Sequence, residues 1–171
     1  MSTKSFRESI PIRLTTLLNE SVRDWFQEPE HEKERCYQVA NRTEGNRFER
    51  ELCTFMATHY GLWVHNMAQS AAGQPADIIA VGRHAAFLID AKVCESDRFS
   101  LRRLEENQMT SMWLWRLHTQ YPCGFVIKFK GDECYYWLSY GQAEQYLSQG
   151  YTSVDKEHLE FFTKFMKVWM E

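Results

Sequence analysis

The run Ala85–Val93, AAFLIDAKV, constrains this chain more than any other stretch. Seven of its nine residues are apolar, as expected of a strand in a core, yet it carries an acid and a base two residues apart. Side chains of a strand alternate between two faces. Phe87, Ile89, Ala91 and Val93 therefore share one uniformly apolar face, which belongs to the core. Leu88, Asp90 and Lys92 share the other. Hairpin geometry adds a second acid. Two β-type runs, Ala76–Val81 and Ala85–Val93, flank the turn at Gly82-Arg83-His84. A turn centred on Arg83 and His84 sets Asp77 directly opposite Asp90. A turn centred on Gly82 and Arg83 leaves the two diagonal but still on one face.

Two adjacent carboxylates repel, and both ionise cheaply only when a cation neutralises them. Hard oxygen ligands with open positions suit Mg²⁺, with Mn²⁺ as substitute. Such an ion polarises a phosphate and acidifies a bound water, and a neighbouring lysine can orient that water. A short Asp-x-Lys at a strand end is also a common solvated ion pair, so the motif alone leaves both readings open. Glu49 falls on or beside the apolar stripe of a preceding helix. A carboxylate there needs a partner, either a metal or an arginine.

Around this centre the chain reads as alternating helices and strands. Leu14, Leu17, Leu18, Val22 and Trp25 form one helical stripe, followed by the charged linker EPEHEKER. Residues 1–40 are thus expected to be an N-terminal helical extension and linker, and 41–171 one further domain. A helix is predicted over Asn41–Tyr60, where Phe48, Leu52, Phe55 and Met56 recur at helical steps and Gly61 supplies a stop. Strands are predicted over Leu62–Met67, Ala76–Val81, Ala85–Val93, Gly124–Phe129 and Cys134–Leu138. Further helices are predicted over Phe99–His118, Gln142–Leu147 and Glu157–Met170. The order α, α, β, β, β, α, β, β, α, α predicts an α/β fold: a central mixed sheet with helices on each side.

Composition excludes several alternatives. The 171 residues suffice for one domain with a real core. With 44% hydrophobic and 15% aromatic residues the chain is globular. No apolar run reaches membrane-spanning length, and MSTKSFRESIPIR lacks the apolar stretch of a signal peptide, so a cytoplasmic location is expected. Five scattered cysteines, never spaced as CxxC, read as free thiols rather than as a disulfide framework or zinc site. The six histidines show no ligand spacing. A net charge of -3 argues against a general coat for nucleic acid, but two local basic clusters stand out. Arg98, Arg102 and Arg103 border the Asp90–Lys92 strand end and are candidate phosphate contacts. Arg42, Arg47 and Arg50 form the second cluster. Solvated faces are the alternative for both. Trp113 and Trp115, and the terminal stripe Leu159, Phe162, Met166 and Trp169, point to core or interface burial rather than to base stacking.

A helix acid, then Pro75-x-Asp77, then Asp90-x-Lys92 resembles the PD-(D/E)xK nuclease superfamily, which has a restriction-endonuclease-like fold. In more detail the chain is similar to RecU-type Holliday-junction resolvases and their phage relatives over roughly residues 41–130. Asn41-Arg42 and Gly45-Asn-Arg-Phe48-Glu49 resemble that family's opening helix. Phe99-Ser-Leu101 through Asn107-Gln108 resembles its next helix, and GFVIKF at 124–129 a core strand. The resemblance implies metal binding by Glu49, Asp77 and Asp90, catalysis by Lys92, and Gln108 as an accessory active-site residue. It implies Mg²⁺-dependent DNA cleavage, with branched DNA as the expected substrate and a homodimer as the expected assembly. A general phage or repair endonuclease is the alternative, and a catalytically silent DNA- or protein-binding relative another. The chain departs from the pattern in three places. Asp90 replaces the usual Glu, and Asn107 stands where His is usual. The segment from Leu62 to Pro75 is too short for the family's junction-engaging stalk.

Overall fold

The computed structural model describes residues 44–67 and 74–171. The expected helix over residues 14–25, the boundary near residue 40 and Arg42 lie outside them. Four helices are described: α1 (Glu44–Tyr60), α2 (Glu106–His118), α3 (Tyr140–Ser148) and α4 (Phe162–Met170). Eight strands accompany them: β1 (Trp63–Asn66), β2 (Ile78–Val81), β3 (Ala86–Cys94), β4 (Arg98–Ser100), β5 (Cys123–Phe129), β6 (Tyr135–Ser139), β7 (Ser153–Asp155) and β8 (Glu160–Phe161). Six form one mixed sheet in the order β1-β2-β3-β5-β6-β8; β4 and β7 form a separate pair. Among the described residues no helix is long and apolar enough to cross a membrane.

The antiparallel β1-β2-β3 meander follows from its short hairpin, whereas β3 and β5 run parallel and need the crossover through α2. Helix α1 buries Phe48, Leu52 and Met56, the predicted stripe, against Ile78, Ala80, Phe87, Ile89 and Ala91. Phe162, Phe165 and Met166 of α4 complete that core with Val126 and Trp137. The opposite face of the sheet has its own core. There Met112 of α2 and Tyr140 and Ala143 of α3 meet Leu88, Phe125, Ile127 and Phe129. The central strand β3 is thus buried on both faces, as suits a strand whose parallel pairing with β5 needs a helical crossover. Gly124 sits where β5 and β6 come closest, and a Cβ there would collide with the backbone of Leu138 and Ser139.

The α/β class with a restriction-endonuclease-like mixed sheet holds, and two helical expectations are corrected. The predicted helix over Phe99–His118 begins only at Glu106. Its first residues form β4, which pairs with β7 through Arg98↔Asp155, Phe99↔Val154 and Ser100↔Ser153. A partner some fifty residues away overrides a helical pattern, because strand pairing is a long-range property that periodicity does not contain. The terminal helix likewise starts at Phe162, not Glu157, since Glu160 and Phe161 add an edge strand to β6. The apolar side chains of α4 divide: Phe162, Phe165 and Met166 are buried, whereas Val168, Trp169 and Met170 are exposed, Trp169 packing edge-on to Phe87. Trp137 lies in the core, whereas Trp113 is half exposed on α2.

Candidate active site

The register of the β2–β3 hairpin pairs Ile78 with Ile89 and Ile79 with Leu88. Extended by one residue, it sets Asp77 opposite Asp90, the first of the two registers the turn allowed. Asp77 lies just before β2, where the ladder ends, and its carboxylate takes over part of the pairing. Its Oδ2 accepts a hydrogen bond from the Ala91 backbone N–H at 2.8 Å. Its Oδ1 accepts from the Gln74 side-chain amide at 2.9 Å, and its carbonyl accepts from Met67 N–H. Asp77 is held from three sides.

Asp90 is held differently. It is fully buried, and its one close partner is Lys92, whose Nζ stands 2.7 Å from Oδ2. Among the described residues neither Asp90 oxygen has a hydrogen-bond partner beyond this ion pair. Burial pushes the Asp90 carboxyl up from 3.8 to about 7; the charge of Asp77 pushes the same way and Lys92 opposes both. Unsatisfied buried carboxylate oxygens cost stability and are rare in folded proteins. A bound cation could satisfy them.

Glu49 approaches from α1, on the other side of the sheet, where it is half-buried. Its Oε2 accepts from the Asn66 amide at 3.2 Å. Burial, then the Asp77 charge, raises its pKa, against the pull of Asn66 and Lys92. The same field acts on Cys53, whose thiol is pushed up to about 12 by burial and by the charges of Glu49 and Asp77. Three carboxylates therefore face one ammonium. Among the described residues no three His, Cys, Asp or Glu side chains form a ready-made metal cage. The carboxylate pair Asp77–Asp90 is the donor set that fits a hard cation with open positions.

The remaining sequence candidates lie further out. Gln108 is buried in the first turn of α2, where its Oε1 accepts from the Glu105 backbone N–H at 3.3 Å and closes a capping box. Arg98 pairs with Asp155 across β4–β7, with Nε at 2.6 Å from Oδ1. Arg103 donates to the Val93 carbonyl at 2.6 Å and lies over the Phe99 ring. Arg102 is exposed. Arg47 lines a small cavity with Glu51, Val93, Lys128 and Lys130, at the C-terminal ends of β3 and β5 beside α1.

Three supporting residues escaped the sequence reading. Gln74 holds Asp77, Asn66 holds Glu49, and the Asn107 amide donates to the Gln74 carbonyl at 3.0 Å. Asn107, where the resembled family carries His, thus anchors the segment that orients Asp77. The signal for Gln74 was its place in Gly73-Gln74-Pro75, three residues before the acid. Asn66 gave none, since a polar residue ending an edge strand is ordinary.

No family model matches the sequence, and no curated protein matches it. The fold does have a solved counterpart. Hjc, a Holliday junction resolvase from Archaeoglobus fulgidus, superposes with a TM-score of 0.55 at 14% identity, over 72% of this chain and 98% of its own. A second structure, SSO0001, gives a TM-score of only 0.34 at 14% identity, over 70% of this chain and 65% of its own, which is too low to bear on the fold. The protein described here therefore shares with the archaeal resolvase a mixed sheet flanked by helices, and at this identity the likeness is one of fold.

Proposed function

We propose that this protein is a metal-dependent DNA endonuclease that hydrolyses phosphodiester bonds, with branched DNA as its preferred substrate. One observation carries the reading: a fully buried carboxylate opposite a second carboxylate, with one lysine ammonium at 2.7 Å as its close partner. The similarity in fold to a resolvase supports the same class of chemistry, and branched DNA is taken from that protein's activity.

In this reading Asp77 and Asp90 hold Mg²⁺, or Mn²⁺ in its place. When bound, the ion polarises the scissile phosphate and lowers the pKa of an attacking water. Asp77 presents its carboxylate in one orientation because Ala91 N–H and Gln74 fix both oxygens. Lys92, held by Asp90 at the same strand end, donates to the attacking water and to the charge that develops on the phosphate. Glu49, held by Asn66, stands behind Asp77 and either completes the ion's shell or takes a water proton. Gln108 fixes the start of α2 beside the Asn107–Gln74–Asp77 chain. Arg102, exposed near the strand end, is the best placed of the arginines for a phosphate. Arg42 and Arg47 are further candidates, while Arg98 and Arg103 would have to leave their present partners. A homodimer would present two such centres to two strands.

The test is cleavage of four-way junction, flap, duplex and single-stranded DNA by the protein and by Asp77→Ala, with Mg²⁺ and with Mn²⁺. Junction or flap cleavage that disappears in Asp77→Ala is the expected result. Cleavage of no substrate with either ion would overturn the nuclease reading in favour of a silent relative. Equal cleavage of every substrate would leave a general endonuclease. The short connection from Asn66 to Ile78, with no room for a stalk, is the observation that favours that second reading.

A further inference from the structure

Among the described residues, the face of the sheet that carries Asp77 and Asp90 is not covered along its whole width. Over β3, β5 and β6 it is sealed by α2 and α3. Over β1 and β2 no described helix covers it. Trp63 is 56% exposed and Val81 37%, and His65 is exposed beside them. Their neighbours Val64, Ile78 and Ala80 point the other way, into the core under α1. Register places these side chains on one surface with the carboxylates. Trp63 pairs with Val81 and His65 with Ile79, while Ile79 pairs with Leu88 and Asp77 precedes Ile79 by two. Strand geometry puts the Ile79–His65 row about 7 Å from the Asp77–Asp90 row, and the Val81–Trp63 row about 13 Å from it.

The Trp63 and His65 rings are parallel to within 6°, with centroids 5.9 Å apart. Two ordered aromatic rings on a strand face that no described helix covers, continuous with the carboxylates, are unusual as bare surface. An indole is large, rigid and costly to leave in water. We propose that Trp63 and His65 form a stacking subsite for an unpaired nucleobase of the DNA whose phosphate is held at Asp77 and Asp90. A base inside a duplex has both faces covered by its neighbours, so only a splayed or branch-point base offers its face to the indole. The reach from the carboxylates corresponds to about four stacked bases. Such a subsite prefers DNA with an unpaired base near the cut without a stalk and without reading sequence.

This inference rests on the nuclease reading for its geometry, but it is tested without cleavage. The full chain is titrated, with Ca²⁺ in place of Mg²⁺, into flap and junction DNA carrying 2-aminopurine at each of the four positions on either side of the branch. The expected result is quenching of the probe at one or two positions by the wild type. Trp63→Phe retains the quench; Trp63→Leu, which keeps apolar bulk but removes the ring system, loses it and weakens flap binding about ten-fold. Fully paired duplex loses several-fold less affinity than the flap in the same variant. Should Trp63→Leu fold poorly by circular dichroism, His65→Leu repeats the test on the companion ring. The inference is overturned if the wild type quenches no position, or if the quench survives Trp63→Leu. It is equally overturned if Trp63→Leu changes only the sedimentation state, which would assign the face to a second copy, or if deleting residues 1–43 in the wild type creates the quench. Absence of cleavage with a clear quench would instead overturn the nuclease reading alone.

Discussion

Two acidic groups in this molecule are treated in opposite ways. Near the Lys128 end of β5, Glu51 receives a full set of partners: Lys128 Nζ at 2.8 and 2.9 Å and the Tyr135 hydroxyl at 2.6 Å. Those donors hold its carboxyl below the ordinary range despite the opposing effect of burial. Asp132 is similar, with Tyr136, the Cys134 N–H and Lys156 around it, and it too is held low. At the other centre, Asp90 is fully buried with Lys92 as its one close donor, and its carboxyl and that of Glu49 are held high. Carboxylates that stabilise a fold are saturated by the fold. A carboxylate left short of donors in the interior is the kind that a cation can complete.

Removing Lys92 sharpens this contrast most. Lys92→Met is expected to lower the rate of DNA cleavage by about 10²–10⁴-fold, the usual range for a positioned proton-transfer or charge-stabilising group. Single-turnover rates at saturating Mg²⁺ measure it; a loss below ten-fold would reduce Lys92 to a counter-ion. Next is the response to the missing cation. Mg²⁺ at about one hundred times its dissociation constant should stabilise the wild type by about 2.7 kcal/mol and leave Asp90→Asn unmoved. Equal melting-temperature shifts in both proteins would place the ion elsewhere.

The pH dependence gives the third comparison. Asp90 has a folded pKa above its unfolded one, so the carboxyl favours folding most when protonated. Its stabilisation is complete below its ordinary value of 3.8 and is lost as pH rises through about 7. In EDTA at pH 8, Asp90→Asn is therefore expected to be more stable than the wild type by about 1–3 kcal/mol, with the advantage vanishing below about pH 4. Urea titrations across that range measure it, and a destabilised Asp90→Asn at pH 8 would show that the Lys92 pair outweighs burial. Glu51 has the opposite sign and the smallest effect. Its folded pKa is lowered, so its contribution is present at neutral pH and is lost as pH falls through the folded value. Glu51→Gln should cost about 0.5–1 kcal/mol at pH 7, in keeping with a partly exposed pair, with no change in cleavage.

Much of the site was legible in advance because it is local. Period-two alternation assigned Asp90 and Lys92 to one face of β3, and the length of the Gly82–His84 turn left only two registers, of which the structure adopts the first. The stripe of α1 was equally readable, since Phe48, Leu52 and Met56 repeat at helical steps. The strand β4 was not, because Phe99 looks helical until Val154 pairs with it. Nor were Gln74, Asn66 and Asn107, whose roles depend on loops meeting in space rather than on spacing.

The sequence by itself therefore determined which side chains share a face: Asp77 with Asp90 and Lys92, and Trp63 with His65. Tertiary structure decided what covers each face. Helices α2 and α3 seal one half of the carboxylate-bearing face, burying Asp90 and raising its pKa, while no described helix covers the β1–β2 half around Trp63. The physical reason is one of range. Alternation is a property of a few consecutive residues, whereas burial, and with it dielectric and unmet hydrogen bonding, is set by elements that pack from distant parts of the chain.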